Sequence, residues 1–262
     1  MHIQQLEFLS DGRKTLNEVS ELAFEYLCSL RMNGQICGKE WPLYFDGNRC
    51  IAIVLMPEQD SLDSRFNSRY VTDRLAKLSD GGVVITSHSI GDDIRSAERC
   101  TCTNRSGYVL YTSYVSLESP VKCLDCFAPI PLYELPVLAS GEYYEIICWQ
   151  SDFQCCDSLQ MNCATLERSA TRQISELDSS LSVAGRKLCT TLSELSGKPF
   201  YYYLYRAHGR GLASEKKRVC PSCGEYWYIP ERLHSIFHFK CDHCRLLSNL
   251  AWNISANSPD GT

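Results

Sequence analysis

The sequence has no run of about 18 apolar residues, so no ordinary membrane-crossing helix is expected. Its first residues, MHIQQLEFLSDGRK, lack the basic-then-apolar layout of a secretory signal, and a cytoplasmic location is expected. No P-loop, GxSxG, HExxH or dinucleotide-binding glycine fingerprint occurs. The deaminase pattern also fails, because Pro221 follows Cys220 instead of preceding it. With these chemistries missing, an enzyme is not expected.

What the chain does have is cysteine, sixteen in 262 residues. In a reducing compartment these are thiols or metal ligands rather than disulfides. Eight fall in close pairs: Cys100/Cys102, Cys123/Cys126, Cys220/Cys223 and Cys241/Cys244. The others (Cys28, Cys37, Cys50, Cys148, Cys155, Cys156, Cys163, Cys189) mostly sit at apolar positions and read as small buried hydrophobes.

Cys220-x2-Cys223 and Cys241-x2-Cys244 are 17 residues apart, the spacing of a zinc ribbon. Each CxxC turn aims two thiolates at one point, and a hairpin brings the second turn back to complete a tetrahedron. Gly224 permits the tight turn in which backbone N–H groups donate to sulfur. The upstream quartet, Cys100-x-Cys102 and Cys123-x2-Cys126, has 20 residues between its pairs. CxC is a less common zinc hook, and four buried thiols around a hairpin is the alternative. Zinc is the expected ion, one at the C-terminal site and a second if the upstream quartet binds. His234, His238 and His243 read as packing or solvent histidines, because four cysteines already fill the shell. Both sites look closed, and closed zinc is structural rather than catalytic.

The formal net charge is -5 with cysteines neutral. Each filled Zn(Cys)4 site adds two net negative charges, so two sites bring the chain to about -9. That balance suits a basic protein partner better than a phosphate backbone.

The pattern predicts an α+β protein. HIQQLEF reads as a strand, and TLNEVSELAFEYLCSL as a helix with Thr15 and Glu18 spaced as a capping box. Asp46-Gly47 marks a hairpin, and Leu62, Phe66, Tyr70, Val71, Leu75 and Leu78 repeat at helical spacing up to Gly81-Gly82, before the strand VVITSHSI. This βαββαβ order is that of a ferredoxin-like unit, placed over 1–97. Residues 98–206 read as a cysteine-pinned hairpin with proline-stiffened continuation, then a strand-helix-strand region. In it EYYEIICW and PFYYYLYR are the strands, and Leu159 to Leu195 step by three or four as one long helix or two broken near Asp178–Ser180. Asp157 with Gln160 is the expected N-terminal cap, and Gly197 with Pro199 the stop. A basic linker at 207–218 leads to the zinc ribbon at 219–250, and the tail SANSPDGT is expected to fray.

Asp92-Asp93 reads as a solvated turn, and Cys155-Cys156-Asp157 as a thiol pair without a partner base. In PFYYYLYR, alternate tyrosines share a face, which fits a strand packed on the long helix with one edge wet. The case for nucleic acid rests on Arg210, Lys216, Lys217 and Arg218 as phosphate contacts, with Tyr226 and Trp227 to stack on bases. Against it, a ribbon this small uses its aromatics as its own core.

The residues CLDCFAPIPLYELP, SGKPFYYYLYR, and CPSCG with CDHC resemble a bacterial family of zinc-ribbon-containing proteins, to which nucleic-acid binding is ascribed from the ribbon itself. The resemblance covers most of residues 100–247 and implies no catalytic residue. Some members of that family lie beside toxin genes, which implies an immunity role. The expectation is therefore a non-enzymatic zinc protein that binds a protein partner, such as a basic toxin domain, with nucleic acid as the alternative. No membrane and no small-molecule substrate are expected.

Overall fold

The computed structural model describes residues Met1–Ser255 and divides the chain into two compact units. The expectation of a frayed tail falls, from residue 256 on, outside the described residues.

The first unit comprises Met1–Thr101, Leu117–Ser119 and Ala128–Ile147. Its elements are β1 (His2–Ser10), α1 (Leu16–Met32), β2 (Leu43–Asp46), β3 (Arg49–Met56), α2 (Arg69–Asp80) and β4 (Val83–Asp92). The sheet order is β2-β3-β1-β4, with every neighbouring pair antiparallel. Alternation builds the core: Leu6 and Phe8 of β1 stand opposite Ala52 and Cys50 of β3, and all four are buried. Helix α1 brings Val19, Ala23, Leu27 and Leu30 to the same cluster at helical spacing. Thr15 Oγ1 accepts from the Glu18 N–H at 3.3 Å, and a Glu18 carboxylate oxygen accepts from the Thr15 N–H at 2.9 Å, so the capping box is complete. The hairpin closes with Asp46 opposite Arg49, and Gly47 takes the positive φ of 61° that such a loop needs. The second helix starts later than the periodicity predicts, at Arg69, because Asp63 caps a short 3-10 turn over Ser64–Phe66 and Ser68 then caps α2.

The second unit comprises Cys102–Ser116, Pro120–Phe127 and Cys148 onward. The remaining elements are β5 (Tyr108–Leu110), β6 (Val121–Cys123), α3 (Tyr144–Met161), α4 (Glu167–Ser175), α5 (Ser180–Ser196), β7 (Phe200–Leu204), α6 (Leu212–Lys216), β8 (Tyr228–Leu233), β9 (Phe237–Cys241), β10 (Leu246–Asn249) and α7 (Trp252–Ser255). Six strands form one sheet in the order β6-β5-β7-β10-β9-β8. Strand β7 pairs in parallel with both neighbours and is buried along its whole length. No tyrosine edge of this strand is wet, contrary to expectation: Tyr202 donates to Ser182 Oγ at 3.3 Å, and Tyr203 to Asn249 Oδ1 at 3.2 Å. Gly185 lets α5 approach β7, for a Cβ there would lie 2.3 Å from the Tyr202 ring.

Several expectations are corrected here. EYYEIICW is not a strand; it opens helix α3, because Ile146, Trp149 and Phe153 bury one face at helical spacing. Asp157 and Gln160 therefore lie inside α3 and cap nothing. The long helix breaks twice, before α4 and again at Ser179, which caps α5, while Gly197 ends α5 in the left-handed conformation. The stretch 207–218 holds α6, whose buried Glu215 accepts from Arg206 at 2.9 Å. Within residues 219–250, Leu246 and Leu247 pair with Tyr202 and Tyr203 of β7. Of the eight cysteines outside the two quartets, Cys50 and Cys189 are buried while Cys155 and Cys163 are exposed.

Candidate metal centres

Two sets of four sulfur atoms come together: Cys100, Cys102, Cys123 and Cys126, and Cys220, Cys223, Cys241 and Cys244. Within each set all ligand atoms lie within 4.8 Å of one another. Cys223 Sγ and Cys241 Sγ are 3.7 Å apart. A tetrahedron with Zn–S bonds of about 2.3 Å has edges of about 3.8 Å, so this pair is already at coordination distance. Both sets could hold a metal ion, and four thiols are a donor set suited to zinc.

The local folding of each CxxC explains the convergence. The residue after the second cysteine has positive φ in all three: Phe127 at 62°, Gly224 at 77° and Arg245 at 55°. Outside glycine that conformation is unfavourable, so its recurrence at Phe127 and Arg245 marks a turn imposed by geometry around the sulfurs. The turns close alike, Phe127 N–H donating to Cys123 O and Gly224 N–H to Cys220 O, both at 2.9 Å. Amides also point at sulfur, Asp125 N–H to Cys123 Sγ at 3.4 Å and Cys244 N–H to Cys241 Sγ at 3.3 Å. The upstream CxxC thus repeats the turn of the C-terminal pairs, a likeness that spacing alone does not reveal.

Burial pushes the Cys241 thiol up to about 12 and raises Cys220, whereas the Glu225 backbone N–H holds Cys223 below the usual thiol range. A dication would bring all four to thiolate. The three histidines stay outside both sets, as expected. His234 Nε2 bonds Leu124 O at 2.7 Å and its ring stacks on Phe127, and His238 Nδ1 accepts from the Leu250 N–H at 3.2 Å.

The six residues offered for nucleic acid do not form one surface. Trp227 is buried, and the Arg218 guanidinium lies 4.9 Å from its ring centre and 4.1 Å from that of Phe239. Arg218 also donates to Ser248 Oγ and Asn249 O and faces Glu215, and burial lowers its pKa to about 10. Trp227 is a core residue, because a small sheet uses its aromatics inside, and Arg218 is half-buried against it. Arg210, Lys217 and Tyr226 are exposed, and the exposed Lys216 sits 5.6 Å from the Tyr228 ring centre. Sequence reading missed a different basic cluster: Arg186, Lys187, His243 and Arg245 line a groove of about 460 Å³ beside Cys244. Only the adjacency of Arg186-Lys187 on a helix hinted at it.

Three family models match the chain: Domain of unknown function (DUF8589) over residues 1–91, Domain of unknown function (DUF2310) over 102–205, and Domain of unknown function (DUF8594) over 209–254. A solved structure, Rv0793 from Mycobacterium tuberculosis, is similar at 13% identity and a TM-score of 0.28, covering 36% of this chain and 99% of its own. An uncharacterized protein of Haemophilus influenzae is 44% identical over 165 residues, 63% of this chain and 81% of its own length. A second uncharacterized protein of that organism is 42% identical over 229 residues, 86% of this chain and 88% of its own length. With so much of both chains aligned at that identity, this chain belongs to the same bacterial protein family as that second Haemophilus influenzae relative.

Proposed function

We propose that this chain is a non-enzymatic zinc protein of the cytoplasm that acts by recognising a macromolecule, most simply a basic protein, as an immunity-type inhibitor of a toxin or an adaptor does. The observation that carries the reading is closure: each cluster presents four cysteine sulfurs, leaving no ligand position for water or substrate. On this reading the metals are structural staples that hold the surrounding surface in shape. Two filled sites deepen the charge from -5 to about -9, which favours a basic partner. The first unit is read as ferredoxin-like on its order β2-β3-β1-β4 with α1 and α2 between strands. Strands β8 to β10 with their four cysteines are read as a zinc ribbon built into a larger sheet.

Nucleic acid is the second reading, favoured by the groove that Arg186, Lys187 and Arg245 line. The metal-loaded chain separates the two on immobilised duplex DNA and in a pull-down from its native host. Protein recognition predicts passage through DNA at about 50 mM salt and a stoichiometric complex with a basic protein. Retention on DNA that falls steeply with salt, with no stoichiometric protein, would overturn it. Metal analysis of the same sample should give two zinc ions per chain.

A further inference from the structure

A cavity of about 390 Å³ within the second unit is lined by Tyr114, Phe153, Asp157, Tyr203, Tyr205 and Trp252. The volume is that of a small-ligand site. Its carboxylate is placed with care: Asp157 Oδ2 accepts from the Tyr114 N–H at 2.8 Å, and Oδ1 from Gln160 Nε2 at 3.1 Å. Yet no cationic side chain pairs with Asp157 among the described residues. Arg232 lines the same cavity from β8 but is exposed and makes no ion pair with it. His238, also in the lining, has its pKa lowered by burial and by Arg232, and its Nδ1 accepts the Leu250 N–H, so it brings no positive charge at neutral pH.

We propose that this cavity binds an alkylated ammonium group, held by the Asp157 charge and the surrounding aromatic rings. Rings attract a cation through their quadrupoles, most strongly where water is excluded. A partly buried carboxylate without a counter-ion is costly unless a ligand supplies one. Burial raises the Asp157 carboxyl above its ordinary range, as expected of a charge lacking its partner. Both oxygens already accept a hydrogen bond, so the site offers charge more than free acceptors. That favours a methylated ammonium over a primary one, which needs three acceptors of its own. The site is independent of which macromolecule the chain recognises. The group could belong to a small quaternary amine or to a methylated lysine of a protein.

Calorimetric titration of the metal-loaded full chain with choline, and with its neutral isostere 3,3-dimethyl-1-butanol, tests the assignment. Choline should bind at least about tenfold more tightly than the alcohol. Asp157→Asn keeps an acceptor oxygen but removes the charge, and should weaken choline by about tenfold. Arg232→Gln removes a competing cation at an exposed position and should tighten binding, an effect that a structural role would not produce. A peptide with trimethyllysine distinguishes the sources: tighter binding than choline assigns a protein ligand, weaker binding a small amine, and either upholds the ammonium site. Equal affinity for choline and the alcohol, no choline binding, or binding of inorganic phosphate instead would overturn it. Should Asp157→Asn not fold, unchanged choline affinity in Arg232→Gln would overturn it as well.

Discussion

The two units solve the same problem, fixing a sheet in one register, by different means. In the first, β1 and β4 run for nine and ten residues, and alternation puts Leu6 and Phe8 of β1 and Cys50, Ala52, Val54 and Met56 of β3 into one apolar cluster. A slip by one residue would turn that set to the opposite face, so burial alone specifies the pairing. In the second, β5 and β6 have three residues each and β10 has four. Strands so short make too few cross-strand pairs to specify register. There, on the proposed zinc reading, metal ligation at strand ends takes over: Cys123 is the last residue of β6, and Cys241 the last of β9. The first register is written along the strands, and the second is pinned at points.

The largest effect expected from this contrast follows loss of one pin. Cys241→Ser with Cys244→Ser removes a site whose metal binding contributes about 10–16 kcal/mol in small zinc modules, as much as a whole domain's stability of about 5–15 kcal/mol. Hydrogen exchange on the full chain should show amides of β7 to β10 losing protection, with β1 and β3 unchanged. The loss should reach β7 because Leu246 pairs with Tyr202. Loss confined to residues 219–250 would mean that the last strands fold alone and would break the contrast.

Packing changes come next. Leu27→Ala opens a void in the first unit's cluster, where Leu27 is fully buried, and should cost about 2–5 kcal/mol there. Zinc content should stay the same. Gly185→Val forces branched carbons into the space where a single Cβ would already meet Tyr202 and Trp149, and should cost about 1–3 kcal/mol in the second unit. Denaturant titration followed by hydrogen exchange assigns each loss to its unit. A loss shared by both units would show that they unfold as one.

The same contrast decides what the sequence could reveal. Local rules reached the first unit: the Thr15–Glu18 box, the hairpin before Arg49 and the alternation of β1 all stand where the pattern puts them. Further along the chain, local rules found the cysteine quartets and the break at Ser179 but misread Tyr143 to Trp149. A cluster of aromatic and β-branched residues has strand propensity, and here tertiary burial of Ile146, Trp149 and Phe153 overrides it. The parallel pairing of β7 with β10 joins residues more than forty apart and has no local signature. The cavity is harder still, since Tyr114, Asp157, Tyr205 and Trp252 come from four separate segments.

Acid gives the smallest effect in the first unit and a large one in the second, and so tests the contrast within one experiment. The Thr15 backbone N–H, with Lys14 and the Thr15 hydroxyl, lowers the Glu18 carboxyl to about 2. A depressed carboxylate contributes stability above its unfolded value of about 4.3, and that contribution is lost as pH falls through about 2. The Glu18 side chain is about half-exposed in the first turn of α1, so the loss is a small increment that Glu18→Gln should abolish. On the zinc reading, the cysteine thiolates should take up protons over the same range and release their metal. Hydrogen exchange at descending pH should therefore show the second unit losing its protection abruptly, while α1 weakens only slightly and only with Glu18 present. If both units lost protection at the same pH, the first would depend on the second's metal, and point-pinning would have to extend to the whole chain.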